Sequence, residues 1–394
     1  MPAERKREDL SAKAILGHLV SFDTTSHKTN IPMAEWIRDY LAGYGVESRM
    51  LPAENGIHTN LFATIGAARG ATTRGGIGLS GHMDVVPTTG QPWDTDPFEM
   101  VEKGSRLYGR GTSDMKGFLA CMLASVPAFQ ARPLQQPIHL IFSYDEEVGC
   151  TGVIPMIAEF GKTLPKPEIV IVGEPSMMTV VDGHKGGSRF RTEIIGKDAH
   201  SSRPDLGVGS IFVAADLIAE LRRIEARMQK AYPAPRFAPP YPTITVSFIE
   251  GGIAHNIIPP RCAFQWGVRL TPGLDAREAG DMLQAYAERE LLPAMRAVHP
   301  DCAITTELLG LMPAFLSGEG SPATTLALKL AGQNAIHTVS YGTEASHFHA
   351  AGCSAVVCGP GDIAQAHQPN EFIEMAELDN CMAFLLRVRD WAAA

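Results

Sequence analysis

Short apolar runs, each bounded by turn residues, alternate with helical patterns near both ends of this chain. The runs are Gly76–Ser80, Ile138–Ser143, Glu168–Val172 and Ser354–Cys358, and Lys116–Gln130 is the clearest helical pattern. Strands that alternate with helices in this way are typical of a mostly parallel sheet with helices on both faces. The sequence therefore predicts an α/β domain built on such a sheet.

A different pattern begins after Pro175. Alternating strands are predicted at Val180–Gly196 and Thr243–Leu270, and helices at Gly209–Gln229 and Ala276–Met295. Segregated strands and helices indicate a compact α+β insertion, and 394 residues exceed what one hydrophobic core usually supports. We therefore predict a discontinuous first domain, residues 1–177 and 296–394, interrupted by an inserted domain at residues 178–295.

Charge and hydropathy restrict the class of partner. The net charge is −9 and the basic residues form no long run, which argues against nucleic acid or a membrane surface as partner. The first ten residues are densely charged, and no segment approaches the roughly 18 apolar residues of a spanning helix. A small-molecule substrate and a cytoplasmic location are the resulting expectations.

The seven cysteines are an odd number and contain no C-x-x-C spacing. A disulfide framework or a thiolate zinc site is therefore not expected. We interpret the cysteines as small reduced core residues and assign none of them as a nucleophile.

Five potential metal ligands are spread along the chain, and most of them follow a predicted strand: His82, Asp114, Glu147, Glu174 and His367. Residues beyond the carboxyl ends of parallel strands converge in one crevice of an open α/β sheet. Two imidazoles and three carboxylates suit Zn²⁺, Co²⁺ or Mn²⁺. Two divalent cations and one bridging hydroxide would leave this ligand set neutral, so we predict a two-metal hydrolase.

Each segment also has a simpler interpretation when it is taken alone. Asp84 shares a strand face with His82 and could hold its other ring nitrogen or an adjacent group in place, or the pair could be a strand-end histidine and a solvated acid. Asp114 could bridge two cations or cap the following helix. In Asp145-Glu146-Glu147, one acid could bind metal while its neighbour takes a proton from water, or the three could form a solvated turn.

Other catalytic motifs are absent from the sequence. Gly161-Lys162-Thr163 ends like a P-loop, but Met156 stands where the earlier glycine is required. No glycine-rich dinucleotide fingerprint follows the first strand, and no G-x-S-x-G motif of a serine hydrolase is present.

Together the motifs resemble the M20 metallopeptidase family, and within it the acetylornithine deacetylase and succinyl-diaminopimelate desuccinylase branch. The matching segments run through nearly the whole chain: S-G-H-M-D-V-V-P, G-R-G-T-S-D-M-K-G, D-E-E-V-G-C-T-G, V-G-E-P-S, D-A-H-S-S-R-P, H-N-I-I-P, Y-G-T-E-A-S-H-F and G-P-G-D-I-A-Q-A-H. The resemblance implies a dinuclear zinc site in which Asp114 bridges. His82 and Glu174 would complete one metal, and Glu147 and His367 the other.

The resemblance also implies roles outside the ligand set. Glu146 would be the general base and Asp84 the orienting acid. The inserted domain would be a lid and dimer interface, whose His200 stabilises the oxyanion in the partner subunit unless it is only a locally bonded turn histidine. Asn256 and Arg269 would hold a substrate carboxylate, although Arg269 could instead lie on a solvent face. Glu344 could bind a cationic side chain or be an ordinary loop acid.

The substrate implied by the resemblance is an N-acyl amino acid, first of all N2-acetylornithine, which would place the chain in arginine biosynthesis. Two features depart from the family pattern: Gly267 replaces an acid, and two histidines, His347 and His349, follow Glu344. Desuccinylase, aminoacylase and carboxypeptidase activities therefore stay open as alternatives. A metal-binding protein of the same fold without turnover is the alternative from another class.

Overall fold

The computed structural model describes residues 9–66 and 74–394, so most of the charged N-terminal segment lies outside the described residues. The chain divides into two compact units. The first contains Met1–Gly183, Ser317–His337 and Thr343–Ala394, and the second contains His184–Leu316 and Thr338–Gly342. The second unit extends beyond residue 295, where the sequence pattern placed the end of the insertion, because a further strand completes its sheet.

The strands are numbered in chain order. They are β1 Ser48–Pro52, β2 Thr59–Ile65, β3 Ile77–His82, β4 Val101–Lys103, β5 Arg106–Tyr108, β6 Ile138–Ser143, β7 Ile169–Pro175, β8 Val181–His184, β9 Gly186–Ile195, β10 Thr243–Gly251, β11 Arg261–Leu270, β12 Ala303–Met312, β13 Phe315–Leu316, β14 His337–Val339, β15 Ser354–Gly359 and β16 Phe372–Glu374.

The helices are numbered in the same way. They are α1 Ala12–Val20, α2 Ile31–Ala42, α3 Gly117–Ala124, α4 Val126–Gln130, α5 Ile154–Ile157, α6 Ser210–Ala231, α7 Glu278–Tyr286, α8 Leu292–Val298, α9 Pro322–Ala331, α10 Ala345–Ala350 and α11 Met375–Ala393. Wide helical turns occupy Thr112–Lys116 and Ala287–Leu291, and a 3₁₀ turn occupies Pro204–Leu206.

The first unit is an α/β structure whose central sheet is mainly parallel, as predicted. Its strands follow the order β1-β2-β6-β3-β7-β15-β8. The pairs β6–β3, β3–β7 and β7–β15 are parallel, whereas β1–β2, β2–β6 and β15–β8 are antiparallel. Strands β3, β6 and β7 are buried at every residue, which is the pattern expected where helices cover a parallel sheet.

The second unit has its own antiparallel sheet in the order β10-β11-β9-β12. Strand β12 pairs with β9 from Ala303 to Met312, which explains why this unit continues past the predicted boundary. Helices α6 and α7 pack on this sheet around a separate core that includes Phe190, Leu217 and Trp266. Each unit thus has its own hydrophobic core.

Most predicted elements are present with small shifts at their ends. The predicted helix Lys116–Gln130 is divided into α3 and α4 at Ser125, because Pro127 cannot donate the backbone hydrogen bond that would continue α3. Within residues 9–66 and 74–394, no helix is long and apolar enough to cross a membrane.

Candidate metal centre

The predicted ligands lie at one edge of the central sheet because their strands are parallel neighbours. His82 is the last residue of β3, and Glu174 is the last but one of β7. Glu146 and Glu147 follow β6 closely, and His367 follows β15 after a short loop. Since β6, β3, β7 and β15 are adjacent, their carboxyl ends deliver these side chains to a common crevice.

Asp114 lies in the turn before α3 and does not cap this helix. Its backbone angles, φ −121° and ψ 93°, are not helical, and the residue at the N-cap of α3 is Lys116. The two oxygens of the buried Asp114 face different imidazoles. Oδ1 is 3.1 Å from Nε2 of His82, and Oδ2 is 3.4 Å from Nε2 of His367. One carboxylate therefore spans two histidines.

The remaining acids lie around these two histidines. Nε2 of His82 is 3.8 Å from Oε1 of Glu174 and 4.0 Å from Oε2 of Glu146. Nε2 of His367 is 2.8 Å from Oε2 of Glu147. Potential donor atoms of His82, Asp114 and Glu147 lie within 4.8 Å of one another, and so do those of His82, Glu146 and Glu174.

Asp84 contacts both His82 and an adjacent loop. Nδ1 of His82 is 2.8 Å from the backbone oxygen of Asp84 and 3.4 Å from its carboxylate, so the backbone makes the closer contact. The carboxylate accepts hydrogen bonds from the Ser26 hydroxyl and from the backbone N–H groups of Glu146 and Glu147. Asp84 thus holds the loop that carries both glutamates.

The electrostatics of the cluster follow from burial and mutual proximity. Burial raises the pKa of Glu146 to about 8 and that of Glu147 to about 7, with neighbouring carboxylates adding to the effect. Burial also raises the pKa of Glu174 well above its ordinary value. These acids hold protons readily because the crevice contains more negative than positive charge.

The pKa shifts of the two histidines and of Asp114 favour the charged forms of these groups. Hydrogen bonds to Asp114 and Glu147 raise the pKa of His367 to about 10. Burial lowers the pKa of His82, but its contacts with Asp114 and Asp84 outweigh burial and raise it well above the ordinary value. Burial of Asp114 is likewise outweighed by the two imidazoles, which hold its pKa well below the usual range.

The residues present fit divalent cations. Oε1 of Glu174 is buried and has no hydrogen-bond partner among the described residues, although a buried carboxylate oxygen normally has one. Cations placed among these donors would bind that oxygen and neutralise the excess acid charge. Imidazole and carboxylate donors suit divalent cations of this kind.

Glu146 has a neighbour that the sequence reasoning missed. The thiol of Cys150 donates a hydrogen bond of 3.0 Å to Oε1 of Glu146. Burial, together with the charge of Glu146, raises the pKa of this thiol well above its ordinary value and keeps its proton in place. None of the seven cysteines, all within the described residues, forms a disulfide, in agreement with the sequence prediction.

Glu344 lies in the same unit as the cluster and is almost completely buried. The Ser143 hydroxyl at the end of β6 donates a 2.8 Å hydrogen bond to Oε2, whereas Oε1 has no hydrogen-bond partner among the described residues. Burial and the charge of Glu146 raise the pKa of Glu344 to about 8. In the same segment, Nε2 of His347 is buried without a hydrogen-bond partner in the described part of the chain, and His349 is exposed.

His200, Asn256 and Arg269 belong to the second unit, and all three are exposed. Nδ1 of His200 is 3.2 Å from the backbone N–H of Ser202 and 2.8 Å from its hydroxyl, which is the local turn contact weighed as an alternative. Because the N–H donates to Nδ1, a neutral ring carries its proton on Nε2. Arg269 lies on β11 opposite Gly187 of β9.

The sequence reasoning also missed Ser26 and Glu371, which support the site from a distance. Ser26 bonds to Asp84, and Glu371 accepts hydrogen bonds from the backbone around Asp114. The only sequence signal for Glu371 is an acid four residues after His367 in a loop. Such an acid does not stand out without coordinates.

Comparisons with known proteins agree with the fold. A family model described as "Peptidase family M20/M25/M40" matches residues 78–389. An acetylornithine deacetylase of Myxococcus xanthus is 34% identical over 385 residues, 95% of this chain and 96% of that protein. An acetylornithine deacetylase of Proteus mirabilis is 34% identical over 347 residues, which are 88% of this chain and 85% of that protein. The structure of aminopeptidase PepT from Bacillus cereus superposes with a TM-score of 0.75 at 19% sequence identity, and the match covers 98% of this chain and 99% of that chain.

A mainly parallel α/β sheet with the buried His82, the exposed His367 and a group of carboxylates at its carboxyl edge is the arrangement of a metal-binding hydrolase. The chain belongs to peptidase family M20/M25/M40, and it is an M20 amidohydrolase with relatives named acetylornithine deacetylase.

Proposed function

We propose that this chain hydrolyses the amide bond of an N-acyl amino acid, with N2-acetylornithine as the substrate and ornithine and acetate as the products. The observation that carries the proposal is Asp114, whose two oxygens face His82 and His367 beside the buried acid Glu146. A site that only bound metal would not need such an acid. The names of the relatives supply the substrate.

Two divalent cations fit the proposed ligand set, with zinc as our choice and cobalt or manganese as alternatives. Asp114 would bridge them, with His82 and Glu174 on one and Glu147 and His367 on the other. When bound, such cations polarise an amide carbonyl and lower the pKa of an attacking water. This assignment uses the unpartnered oxygen of Glu174.

Glu146 is the proposed general base. It takes the proton from the attacking water and passes it to the leaving amine, since an amide nitrogen departs poorly as an anion. Asp84 positions this base through the backbone N–H of Glu146 rather than by touching the substrate. The thiol of Cys150 holds the other end of the Glu146 side chain in one orientation.

The remaining residues in this proposal contact the substrate. Asn256 and Arg269 bind the carboxylate of the acyl amino acid, because a guanidinium can donate two parallel hydrogen bonds to a carboxylate. His200 donates from Nε2 to the developing oxyanion. Glu344 binds the side-chain ammonium of the substrate through its unpartnered Oε1.

We further propose a cytoplasmic homodimer formed through the second unit, in which His200 serves the partner subunit. Strand β10 is an edge strand, and Phe248, Ile249, Ile253 and Phe212 in the same unit are exposed apolar side chains. Unpaired strand edges and apolar surface favour association of two copies. Sedimentation should give twice the chain mass. A strict monomer with full activity would exclude this role of His200.

The test of the proposed function is kcat/KM of the metal-loaded protein on a substrate panel. The panel contains N2-acetylornithine, N-acetylmethionine, N-acetylglutamate, N-succinyl-diaminopimelate and a C-terminal glutamate amide. We expect acetylornithine to be preferred. Preference for another compound would replace the substrate and direct attention to Gly267, His347 and His349. No turnover on any compound would favour the metal-binding protein without catalysis.

A further inference from the structure

The carboxylate of Glu371 lies in a pocket of donors from a single loop. Its Oε1 accepts the backbone N–H groups of Ser113 and Asp114 at 2.9 and 3.1 Å. Its Oε2 accepts the N–H of Gly111 at 3.0 Å and Nη1 of Arg110 at 2.7 Å. Both Glu371 and Arg110 are about 1% exposed, so this ion pair is shielded from water.

The loop that donates these bonds needs an acceptor from outside. Gly111 has φ 82°, and Asp114 and Met115 have non-helical angles, so the usual helical carbonyls do not pair with its N–H groups. A methyl group at position 111 would lie 2.8 Å from Val85, so the left-handed turn there requires glycine for space as well as for its backbone angles. Buried N–H groups without partners are costly, and Glu371 satisfies three of them at once.

A second set of contacts joins the same loop to His367. Gln91 donates from Nε2 to the backbone oxygen of His367 at 2.8 Å, and its Oε1 accepts a hydrogen bond from Nη2 of Arg110. The Arg110 guanidinium also lies over the Trp93 ring at 5.1 Å. Glu371 itself follows His367 by four residues, so both routes connect Arg110 to the loop that carries this histidine.

We propose that Glu371 is a positioning residue that fixes Asp114 and His367 relative to each other, so that both can serve the same pair of cations. The inference rests on the proposed two-cation function and deepens it. Glu371 does not touch a cation or the substrate. It acts by holding the backbone of Asp114 on the loop that also carries His367.

The variant Glu371→Gln changes this arrangement with little change in size. One oxygen still accepts two hydrogen bonds, but the other becomes an NH₂ group that faces donors, and the charge opposite Arg110 is lost. The loop should shift, and Asp114 with it. Supporting groups around metal ligands typically contribute about 10–100-fold to metal affinity or activity, and we expect a loss in that range.

The experiment is a chelator-competition titration of metal-free protein with Zn²⁺ alone, without substrate. Wild type should bind two ions, and Glu371→Gln should bind at least one of them about tenfold or more weakly. At saturating zinc, kcat should fall while KM stays near the wild-type value, because the substrate contacts are elsewhere. A purely structural role would lower only the thermal midpoint of the metal-free protein.

Glu374→Gln is the matched control, because Glu374 is a nearby acid that pairs with Arg106 at the surface. Its zinc affinity should equal that of wild type. If Glu371→Gln does not fold, Glu371→Asp retains the charge opposite Arg110, withdraws the carboxylate by one methylene and should show the same loss. A folded Glu371 variant that binds both zinc ions with affinities within about twofold of wild type would overturn the inference. A wild type that binds no zinc, and no cobalt or manganese in the same titration, would instead overturn the proposed function.

Discussion

Asp114 determines the geometry of the cluster at the scale of single residues, because its two oxygens face different histidines. Its sequence context allows a helix cap equally well, and only the backbone angles exclude that interpretation. Burial raises the pKa values of the neighbouring glutamates, and the proximity of four carboxylates that share two imidazoles adds to the effect. Side chains that are costly to bury together indicate a site that cations stabilise.

Glu344 gives the sharpest prediction about the substrate. In Glu344→Gln the carboxyl group becomes an amide that cannot ionise. The amide can still accept the hydrogen bond from Ser143, but the unpartnered Oε1 no longer belongs to a carboxylate. We expect kcat/KM for N2-acetylornithine to fall by about tenfold or more, since a hydrogen bond to a charged group contributes about 1.5–3 kcal/mol. Steady-state kinetics measure the change.

The control for Glu344→Gln is a second substrate. N-acetylnorvaline resembles acetylornithine without the ammonium group, so the same variant should hydrolyse it as fast as wild type does. An equal loss on both compounds would mean that Glu344 supports the fold of the site and does not recognise the cation.

Strand β7 and helix α3 meet so closely that only glycine fits at position 173. A Cβ there would lie 2.0 Å from the ring of the buried Phe118. We predict that Gly173→Ala destabilises the protein by about 1–3 kcal/mol, the usual range for overpacking. Thermal unfolding of the metal-free protein measures the shift.

Gly318→Ala is the comparison for this prediction. Position 318 is exposed, and a Cβ there would have no heavy atom within 4 Å among the described residues. Its thermal midpoint should match or slightly exceed that of wild type. A Gly173→Ala protein as stable as Gly318→Ala would contradict the packing of α3 on β7.

The strands of the first unit were predictable because burial on both faces leaves continuous apolar runs, and Ile138–Ser143 is found with the predicted limits. The convergence of His82 and Glu174 was predictable because both lie at the ends of apolar runs, and the carboxyl ends of parallel strands meet at one edge of a sheet. The contacts of Glu371 and Cys150 did not, since they depend on loop backbone and on packing between distant segments. Strand β12 was missed for a different reason. Its sequence, A-I-T-T-E-L-L-G-L-M, does not alternate apolar and polar residues, so only its pairing with β9 identifies it.

At the scale of the whole molecule, His139 should make stability depend on pH. This histidine is buried in β6, where it bonds to the Thr64 hydroxyl and to the backbone oxygen of Gly75. Burial lowers its pKa from 6.5 to about 4. Between these values the unfolded chain binds more protons than the folded one, so stability is present above pH 6.5 and is lost as pH falls toward 4.

The measurement is urea unfolding of metal-free wild type and His139→Phe across this range. On acidification the free energy of unfolding of wild type should fall by up to about 3 kcal/mol more than that of the variant, because one pKa unit corresponds to about 1.36 kcal/mol. Other titrating groups are common to both proteins and cancel in the difference. Parallel curves would show that His139 is not held neutral by the fold.

The role of Glu146 is tested by the rate of N2-acetylornithine hydrolysis by Glu146→Gln whose metal content has been matched to wild type. Glu146 belongs to neither proposed ligand set, so the variant should keep two cations per chain. If Glu146 is the general base, kcat should fall by about 10²–10⁴-fold, the usual contribution of such a group. A variant that keeps both cations and hydrolyses the substrate at the wild-type rate would contradict this role.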